Sequence, residues 1–411
     1  MHVLLVAPSA PPKNSPEAMQ VGRFLSSLDP SVKVTLVTTP IVAGWQWEDR
    51  SLAVDRPRMN VVELSLPAHR STQRLLANRR LSFLHNPDSD FWVRWFAGHV
   101  LQRLSDTPDV IYSRSGPFSA ALLARRLKMM SGKPWLMHLS DPWSDSPYRQ
   151  LSPRRAAVDR FQEEACFAFA DMITLTTEGQ ADHYRERYPD RAGSIFVTPN
   201  MMPVVQPLQT ASRPEGPLRL VYTGALYGER DPRALLSALR ILHDAEPSGK
   251  ERIRLDFYGN MAPEMAALIN GYPGCVAHGP IPFEEVADVQ AKADVLVTVE
   301  AGGDNPLLLH FMPSKNLDYI AIGKPILAVT PKGSQTDRLC RAGYGWSFSP
   351  DDSPAIAEKL SQLARDFVAG NRIEQCPNLR ASPFRALTVT DGIKQKLQGL
   401  VAKHDVKGCE L

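Results

Sequence analysis

The sequence has few cysteines and almost no net charge, and each fact argues against certain classes of protein. Its five cysteines are an odd, scattered set without a Cys-x-x-Cys pair, so we expect reduced thiols rather than a disulfide framework or a zinc site. Lysine plus arginine exceed aspartate plus glutamate by 47 minus 44, or +3. Such a weak excess argues against a nucleic-acid partner.

Long hydrophobic runs are absent as well. Hydrophobic residues make up 43% of the 411 residues, yet the longest apolar runs fall well short of the roughly 20 residues that span a bilayer. The first residues, Met1 to Pro8, enter a buried-strand pattern without the basic start and cleavage site of a signal peptide. We therefore expect a cytoplasmic protein of two or three domains with no integral membrane segment.

Short apolar runs alternate with amphipathic segments along the chain, a pattern that predicts βα units around parallel sheets. A Pro-rich segment interrupts the series once. We predict an N-terminal domain over 1–200, a linker over 201–217, a C-terminal domain over 218–385 and a last helix over 386–411 that crosses back to the first domain. The predicted fold class is α/β, with two doubly wound Rossmann-like domains facing across a cleft, and that cleft is the expected active site.

The segment from His310 to Thr330 predicts a short helix between two buried strands, and the start of this helix is polar. Ser314 is suited to cap the helix, while Lys315 and Asp318 lie beside it on the first turn. A helix N-terminus offers free N–H groups and a partial positive charge, worth about 0.3 to 1 kcal/mol with a surface anion. We predict that Ser314 and Lys315 bind a diphosphate and Asp318 a ribose; the alternative is a capping serine beside a surface ion pair.

Other strand-end loops in the second half support a nucleotide site. Gly224 lets a ligand approach the backbone closely, and Arg230 offers a guanidinium fork suited to phosphate. Gly259 ends the next predicted strand. His278 and Ile281 lie further along the chain, in the tight loop Val276 to Pro282. These three residues are predicted to surround the base of the nucleotide. The alternative for Gly224 and Arg230 is an ordinary solvent-exposed loop.

These segments resemble the donor half of family-4-type glycosyltransferases with the GT-B fold, and the resemblance runs through nearly the whole chain. It rests on Thr223-Gly-Ala-Leu with Arg230, on Ala277-His-Gly-Pro-Ile-Pro and Ala293-Asp-Val-Leu-Val, and above all on Pro313-Ser-Lys-Asn-Leu-Asp-Tyr-Ile-Ala-Ile-Gly-Lys-Pro-Ile-Leu. In that family two glutamates eight positions apart bracket the helix start, and the second binds the donor ribose. Here these positions read His310 and Asp318, which implies a place in the catalytic site for His310.

The resemblance also assigns the phosphate contacts. The family's two basic residues after the glycine loop fall at Ala225 and Arg230, so one basic group is missing and Lys315 is expected to share the work of Arg230. Pro-Ser-Lys before the helix is typical of a bacterial subgroup of the family.

The first half lacks any G-x-G-x-x-G, which argues against a dinucleotide-dependent dehydrogenase. Its candidate acceptor contacts are Ser15, at the start of the first helix, and Ser115 with Gly116, in a polar turn after a buried strand. Each suits a sugar hydroxyl or a phosphate. Ser15 is equally well explained as a helix cap.

A second buried strand runs into Ser140-Asp-Pro-Trp143, which resembles the Arg-Asp-Pro-Trp motif of the same bacterial subgroup. The resemblance places Asp141 in the cleft as an acceptor-orienting group or base, with Trp143 as an acceptor contact. His138, inside the strand, is a further catalytic candidate. The alternatives are a turn residue for Asp141 and a packed core histidine for His138.

The resemblance implies retaining transfer of a sugar from a nucleoside-diphosphate donor, with UDP favoured, to a hydroxyl of a surface polysaccharide or lipid-linked oligosaccharide. It implies no metal or other cofactor, and the formal D-x-D at Asp88-Ser-Asp90 follows no buried strand, so we regard it as accidental. A nucleotide-sugar epimerase on the same scaffold and a non-catalytic nucleotide-sugar-binding subunit are the alternatives.

Residues 69–96 mix arginines with large aromatic side chains. Such a surface can rest on anionic lipid headgroups, each near-surface cation adding about 1 kcal/mol, so we expect peripheral contact with the inner face of the plasma membrane. The alternative is a helix pair that packs its aromatic residues into the first domain.

Overall fold

The computed structural model describes residues 1–42, 46, 48–76, 85–149, 151–204, 216–226, 230–245, 252–300, 305–371, 373 and 382–409, the last three by their backbone alone. The chain divides into two compact units, Met1–Met201 with Ala386–Leu411, and Met202–Arg385. Most of the predicted linker, 205–215, lies outside the described residues, as does the middle of the predicted membrane-contact segment, 77–84.

Seven parallel strands form the sheet of the first unit, in the order β3-β2-β1-β4-β5-β6-β7. They are β1 (His2–Val6), β2 (Lys33–Thr38), β3 (Met59–Glu63), β4 (Val110–Ser115), β5 (Trp135–Leu139), β6 (Met172–Leu175) and β7 (Ile195–Val197). β1, β4 and β5 are buried along their whole length, as expected for a parallel sheet covered on both faces. The strand order reverses between β1 and β4, and ligands bind at such reversal points.

Helices of the first unit follow its strands. They are α1 (Pro16–Ser27), α2 (His69–Leu76), α3 (Ala97–Gln102), α4 (Ser119–Ser131), α5 (Pro153–Phe169) and α6 (Glu178–Arg187). The core on one face of the sheet contains buried side chains of α4 and α5, and the core on the other face contains those of α1. No helix of the described ranges is long and apolar enough to cross a bilayer.

The second unit repeats this architecture with six parallel strands in the order β10-β9-β8-β11-β12-β13. The strands are β8 (Leu218–Thr223), β9 (Ile253–Tyr258), β10 (Cys275–Gly279), β11 (Val295–Val299), β12 (Ile326–Val329) and β13 (Gly345–Phe348). The helices are α7 (Arg233–Ala245), α8 (Pro263–Asn270), α9 (Phe283–Ala291), α10 (Ser314–Ile322), α11 (Gln335–Leu339) and α12 (Ser353–Val368). The strand order reverses between β8 and β11. The predicted fold class of two doubly wound α/β domains is confirmed.

The last helix, α13 (Ala386–Cys409), packs on the first unit rather than on the second. Ile393 and Leu397 are buried in the same core as α1. The Nζ of Lys394 donates a hydrogen bond to Oδ2 of Asp29 at 2.6 Å, which fixes the helix beside the end of α1. The chain therefore leaves the first unit after Met201 and returns to it at Ala386.

Candidate active site

Three strand-end loops of the second unit meet at the carboxyl edge of its sheet. The backbone N–H of Gly224 donates to the carbonyl of Tyr258 at 2.8 Å, and that of Gly259 donates to the carbonyl of Gly279 at 2.8 Å. Gly259 has φ +139°, and a Cβ there would lie 2.1 Å from the carbonyl oxygen of Gly224. A side chain at position 259 would therefore push the loops after β8 and β9 apart.

Lys315 lies against the first of these loops. Its Nζ is 3.6 Å from the centroid of the Tyr222 ring, and a Cβ built on Gly224 would lie 3.8 Å from the same atom. The Nζ is buried and has no hydrogen-bond partner among the described residues. Burial lowers the pKa of Lys315 well below its ordinary value, Arg230 lowers it further, and Glu300 raises it. The sequence-predicted residues Gly224, Arg230 and Lys315 are thus neighbours.

The first turn of α10 differs in one detail from the prediction. Ser314 is the first helical residue and not the cap; Pro313 is at the cap position and makes no side-chain cap hydrogen bond to this turn. Pro313, at φ −57° and ψ 125°, is not helical and takes the cap position, so the helix begins at Ser314, one residue before the expected point. The uncapped turn has N–H groups and a partial positive charge to offer an anion.

Asp318 and His310 lie on either side of this helix start. Asp318 is half-buried, one turn into α10, and His310 is the half-buried last residue of the 3₁₀ turn Pro306–His310. His310 therefore lies shortly before Lys315 along the chain, as the motif spacing predicts. Its role in catalysis stays a prediction.

The loop predicted to surround the base begins near His278, which lies in β10. The Nε2 of His278 lies 2.6 Å from Oδ1 of Asp256, and its ring stacks on Tyr258 with 4.3 Å between ring centroids and 3° between planes. Arg254 donates to the same carboxylate, with Nε 2.8 Å from Oδ2. Ile281 is half-buried in the loop after β10. The His278 ring is thus oriented by Asp256 and Tyr258.

Glu300, directly after β11, is a residue of this region that the sequence interpretation missed. Its carboxylate accepts hydrogen bonds from the hydroxyls of Thr330 and Thr336, and it interacts electrostatically with Lys315. Burial raises the pKa of Glu300, while these hydroxyls and Lys315 oppose the rise. The available signal was a carboxylate that ends an apolar strand, but nothing local indicates what it contacts.

In the first unit, Ser15 and Gly116 lie at the reversal point between β1 and β4. The Oγ of Ser15 accepts a hydrogen bond from the N–H of Ala18 at 3.2 Å and lies 2.8 Å from the Oγ of Ser9, so Ser15 caps α1. Gly116 is exposed and has φ +126°; a Cβ there would lie 3.6 Å from Glu17. Because Gly116 has no side chain, its backbone stays accessible beside Glu17.

Glu17 and Arg114 form an ion pair that the sequence interpretation also missed. The Nε of Arg114 donates to Oε1 of Glu17 at 2.7 Å, and the Oγ of Ser140 donates to the other carboxylate oxygen. Arg114 is 2% exposed. Burial alone would lower the pKa of this guanidinium, but Glu17 and Tyr112 raise it, so the ion pair stays charged. The available signal was an arginine near the end of a strand that begins with the apolar run Val110 to Tyr112.

Asp141 follows directly after Ser140. It keeps an accessible surface, yet partial desolvation by surrounding protein atoms raises the pKa of its carboxyl group to about 6, and the negative charge of Glu17 acts in the same direction. A carboxyl group with a pKa in this range is suited to accept a proton near neutral pH, and the role of Asp141 as a base stays a prediction.

Three other predicted residues lie in the core, and their contact with a substrate stays a prediction. His138 is 1% exposed, and its Nδ1 lies 3.0 Å from the hydroxyl of Thr174; burial lowers its pKa well below the ordinary value. Trp143 is fully buried and stacks on Phe118, with 5.2 Å between ring centroids. Ser115 is 1% exposed. All three are enclosed by neighbouring strands and helices.

A buried carboxylate holds the loop that carries Asp141. The backbone N–H of Ser144 donates to Oε2 of Glu163 at 2.7 Å, and that of Trp143 donates to the hydroxyl of Tyr184 at 2.8 Å. Tyr184 and Tyr188 in turn donate to Glu163, at 3.0 and 2.7 Å. Two consecutive backbone groups after Pro142 are thus fixed by α5 and α6.

Replacing Glu163 with alanine is expected to destabilise the protein by about 3 to 5 kcal/mol, because it leaves buried donors unpaired. Glu164→Ala is the matched control, since this neighbouring side chain is exposed and its loss is expected to cost within about 0.5 kcal/mol. Urea unfolding followed by tryptophan fluorescence measures both. Equal midpoints for the two variants would contradict this assignment.

Both carboxylates of the formal D-x-D, those of Asp88 and Asp90, form hydrogen bonds with other residues of the first unit. Asp88 accepts hydrogen bonds from the backbone N–H groups of Asp90, at 3.0 Å, and Ser119, at 2.9 Å. Burial, and then the charge of Asp88, raise the pKa of Asp90 to about 6. In the part of the chain that the structure describes, no three His, Cys, Asp or Glu side chains are grouped as metal ligands.

The chain thus has two doubly wound units, and the second carries a buried lysine at the start of α10. Residues 14–201 match the family model of the glycosyl transferase 4-like domain, and residues 217–366 match that of the glycosyl transferases group 1. The chain belongs to this family of GT-B glycosyltransferases.

Known proteins resemble the chain in sequence and in structure. It is 36% identical over 87 residues to the probable glycosyltransferase WbjE of Pseudomonas aeruginosa, a match that spans 21% of each chain. The N-terminal domain of Candida albicans trehalose-6-phosphate phosphatase superposes with a TM-score of 0.63 at 15% identity over 97% of each chain. Anabaena HepE, in complex with UDP-glucose, superposes with a TM-score of 0.59 at 14% identity over 97% of this chain and 100% of HepE. At these identities the two superpositions show a shared fold.

Proposed function

We propose that the protein transfers a sugar from a UDP-sugar to a hydroxyl of a glycan acceptor. The observation that carries this proposal is the buried Nζ of Lys315, which no hydrogen bond from the described residues satisfies, beside Arg230 and the uncapped start of α10. A buried cation of this kind is stabilised when an anion binds. The complex of HepE with UDP-glucose supports uracil as the base of the donor.

The proposed mechanism is retaining and needs no metal. The leaving diphosphate would accept the proton of the incoming hydroxyl on the same face of the sugar, as the family resemblance implies. Lys315, Arg230 and the helix dipole would stabilise the charge that develops on the diphosphate, and Asp318 would bind the ribose. Asp141 would orient the acceptor hydroxyl; in the variant of this mechanism in which Asp141 takes the proton, the diphosphate leaves unprotonated.

The acceptor we propose is a surface polysaccharide or lipid-linked oligosaccharide at the inner face of the plasma membrane. Within the described part of the segment 69–96, Leu75 is 61% exposed and Trp95 is 55% exposed, with the guanidinium of Arg94 4.9 Å from the Trp95 ring. Met129 and Met130, at the end of α4, are each 59% exposed. Apolar side chains beside arginines suit an anionic lipid surface.

Vesicle binding tests this membrane contact. The protein is expected to sediment with vesicles that contain phosphatidylglycerol and not with pure phosphatidylcholine, and Trp95→Ser is expected to release much of it. Phe161→Ser, in which an exposed aromatic residue of α5 is lost, is the control variant. Equal binding of both variants, or no binding to either kind of vesicle, would contradict the proposed surface.

Turnover tests the proposed function itself. UDP-glucose, UDP-galactose and UDP-N-acetylglucosamine, each labelled in the sugar, are incubated with the protein and a bacterial lipid extract. Transfer of label to the lipid fraction with release of UDP is the expected result. Conversion of the nucleotide sugar to its epimer without transfer would establish an epimerase, and binding without any turnover would establish a non-catalytic subunit.

A further inference from the structure

Ser140, the residue directly before Asp141, is held by two other elements of the first unit. Its Oγ donates a hydrogen bond to Oε2 of Glu17, in the first turn of α1. Its carbonyl accepts a hydrogen bond from the hydroxyl of Thr176, which follows β6, at 3.1 Å. Both the side chain and the backbone of Ser140 are therefore fixed at the end of β5.

Glu17 is itself a fixed partner for this hydroxyl. Its other oxygen, Oε1, accepts the hydrogen bond from Nε of Arg114 at 2.7 Å, and Nη1 of Arg114 donates to the hydroxyl of Tyr112 at 3.1 Å. The side chain of Glu17 is 11% exposed and that of Arg114 is 1% exposed. Rotation of the Glu17 carboxylate away from this position would leave a buried guanidinium without its counter-charge, which is strongly unfavourable.

The chain after Asp141 is also anchored. Pro142 restricts the backbone of Asp141 to extended conformations. The next two backbone N–H groups, those of Trp143 and Ser144, are bonded to Tyr184 and Glu163. Because the backbone is held on both sides of Asp141, the direction of its exposed side chain depends on these anchors.

We propose that Glu17 is a positioning residue of the acceptor site, which sets the direction of the Asp141 side chain through the hydroxyl of Ser140. Arg114 contributes by holding Glu17. The inference rests on the proposed function, since it concerns the carboxylate that would meet the acceptor hydroxyl. Such a group must lie within hydrogen-bond reach of the proton, and a misplacement of about 1 Å can lower the rate about 100-fold.

The test uses Ser140→Ala, which removes the hydrogen bond to Glu17 and leaves the ion pair of Glu17 with Arg114 in place. Transfer of labelled sugar from a UDP-sugar is measured at increasing amounts of a bacterial lipid extract, which separates kcat from the apparent KM for the extract. We expect kcat to fall about 10- to 100-fold. The affinity for UDP, measured by calorimetry, is expected to stay at the wild-type value.

Two further substitutions are matched to this one. Ser140→Thr keeps a hydroxyl group at the same position and is expected to retain most of the transfer rate. Ser131→Ala removes a serine hydroxyl that donates to the carbonyl of Leu127 at 2.7 Å, at the end of α4, and is expected to transfer as wild type does. A fall in kcat that is equal in Ser140→Ala and Ser131→Ala would overturn the inference.

The Asp141→Asn background separates positioning from a general effect on the fold. If Ser140 acts by directing the Asp141 carboxylate, S140A is expected to cause no further loss once that carboxylate is gone. A purely structural role predicts the same loss in both backgrounds, and that result would overturn the inference, as would wild-type kcat in Ser140→Ala. Absence of transfer by the wild-type protein would overturn the proposed function together with the inference.

Glu17→Asp tests the carboxylate itself. The variant keeps the negative charge beside Arg114 but shortens the side chain by one methylene group, which withdraws the carboxylate from Ser140. We expect a fall in kcat similar to that of Ser140→Ala, and no further fall when the two substitutions are combined, because both remove the same contact. Losses that multiply in the double variant would contradict a route through Ser140. If E17D does not fold, the Ser140 variants decide.

Discussion

Replacing Lys315 with methionine weakens UDP binding by about 1.5 to 3 kcal/mol, roughly 10- to 150-fold, without lowering the stability of the free protein. The loss of affinity is that of a charge-assisted contact with phosphate. Stability is preserved because the Nζ of Lys315 is buried without a hydrogen bond from any described residue, and methionine fills similar space without that desolvated charge. Calorimetric titration and thermal unfolding measure the two effects separately.

Lys359 provides a matched control for this substitution. Its Nζ lies 4.2 Å from the centroid of the Trp346 ring, so Lys359→Met also removes a lysine that lies over an aromatic ring of the second unit. This lysine belongs to α12, away from the start of α10. Wild-type affinity for UDP is expected. Equal affinity losses in the two variants would mean that Lys315 acts through general packing or charge and not through contact with the diphosphate.

Replacing Asp141 with asparagine lowers kcat/KM for sugar transfer about 10²- to 10⁴-fold, the usual contribution of a positioned general acid or base. Asparagine has nearly the same shape as aspartate, and the side chain at position 141 is exposed. The free energy of unfolding is therefore expected to change by less than about 0.5 kcal/mol. UDP affinity is expected to stay at the wild-type value. A variant with near wild-type transfer would show that Asp141 is only a turn residue.

The pH dependence of transfer gives a second readout for Asp141. Its pKa is raised to about 6, chiefly by desolvation. The ionised form is the one that can take or orient the acceptor proton, so kcat/KM is expected to rise with pH through about 6 and then level off. In Asp141→Asn that rise should disappear. An unchanged profile in the variant would assign the titration to another group.

The sheets of both units could be predicted from the sequence because their strands are locally apolar. Val3 to Val6 and Val295 to Val299, for example, are continuous β-branched and aliphatic runs bounded by polar segments. Such runs indicate strands buried on both faces whatever their neighbours are. The start of α10 was predicted within one residue: Pro313, with a non-helical ψ of 125°, takes the cap position that was expected for Ser314.

Motif resemblance identified Asp141 and Lys315 but not the environment of their neighbours. Trp143 belongs to the same short motif as Asp141, yet it is fully buried against Phe118. Whether an aromatic side chain in a loop turns outward or inward depends on which other loops reach it. His138 was likewise a choice between a catalytic and a packed residue, and the strands on both sides of it decide for packing.

The missed residues have partners far away along the chain. Glu17 and Arg114 are 97 positions apart, and Glu300 lies 30 and 36 positions from the two threonines that bind it. No spacing rule for a helix or a strand connects residues at such separations. Only the parallel order of the strands, which brings their carboxyl ends to one edge, makes these contacts intelligible.

Thermal unfolding with a panel of nucleotides tests most directly whether the start of α10 binds a nucleoside diphosphate. UDP, GDP, dTDP, ADP and CMP are each added with magnesium and with a chelator. A ligand at about 100 times its dissociation constant adds about 2.7 kcal/mol to the stability of the native state. A shift with UDP, equal with and without magnesium and absent in Lys315→Met, is predicted. No shift with any of the five nucleotides would contradict the donor site.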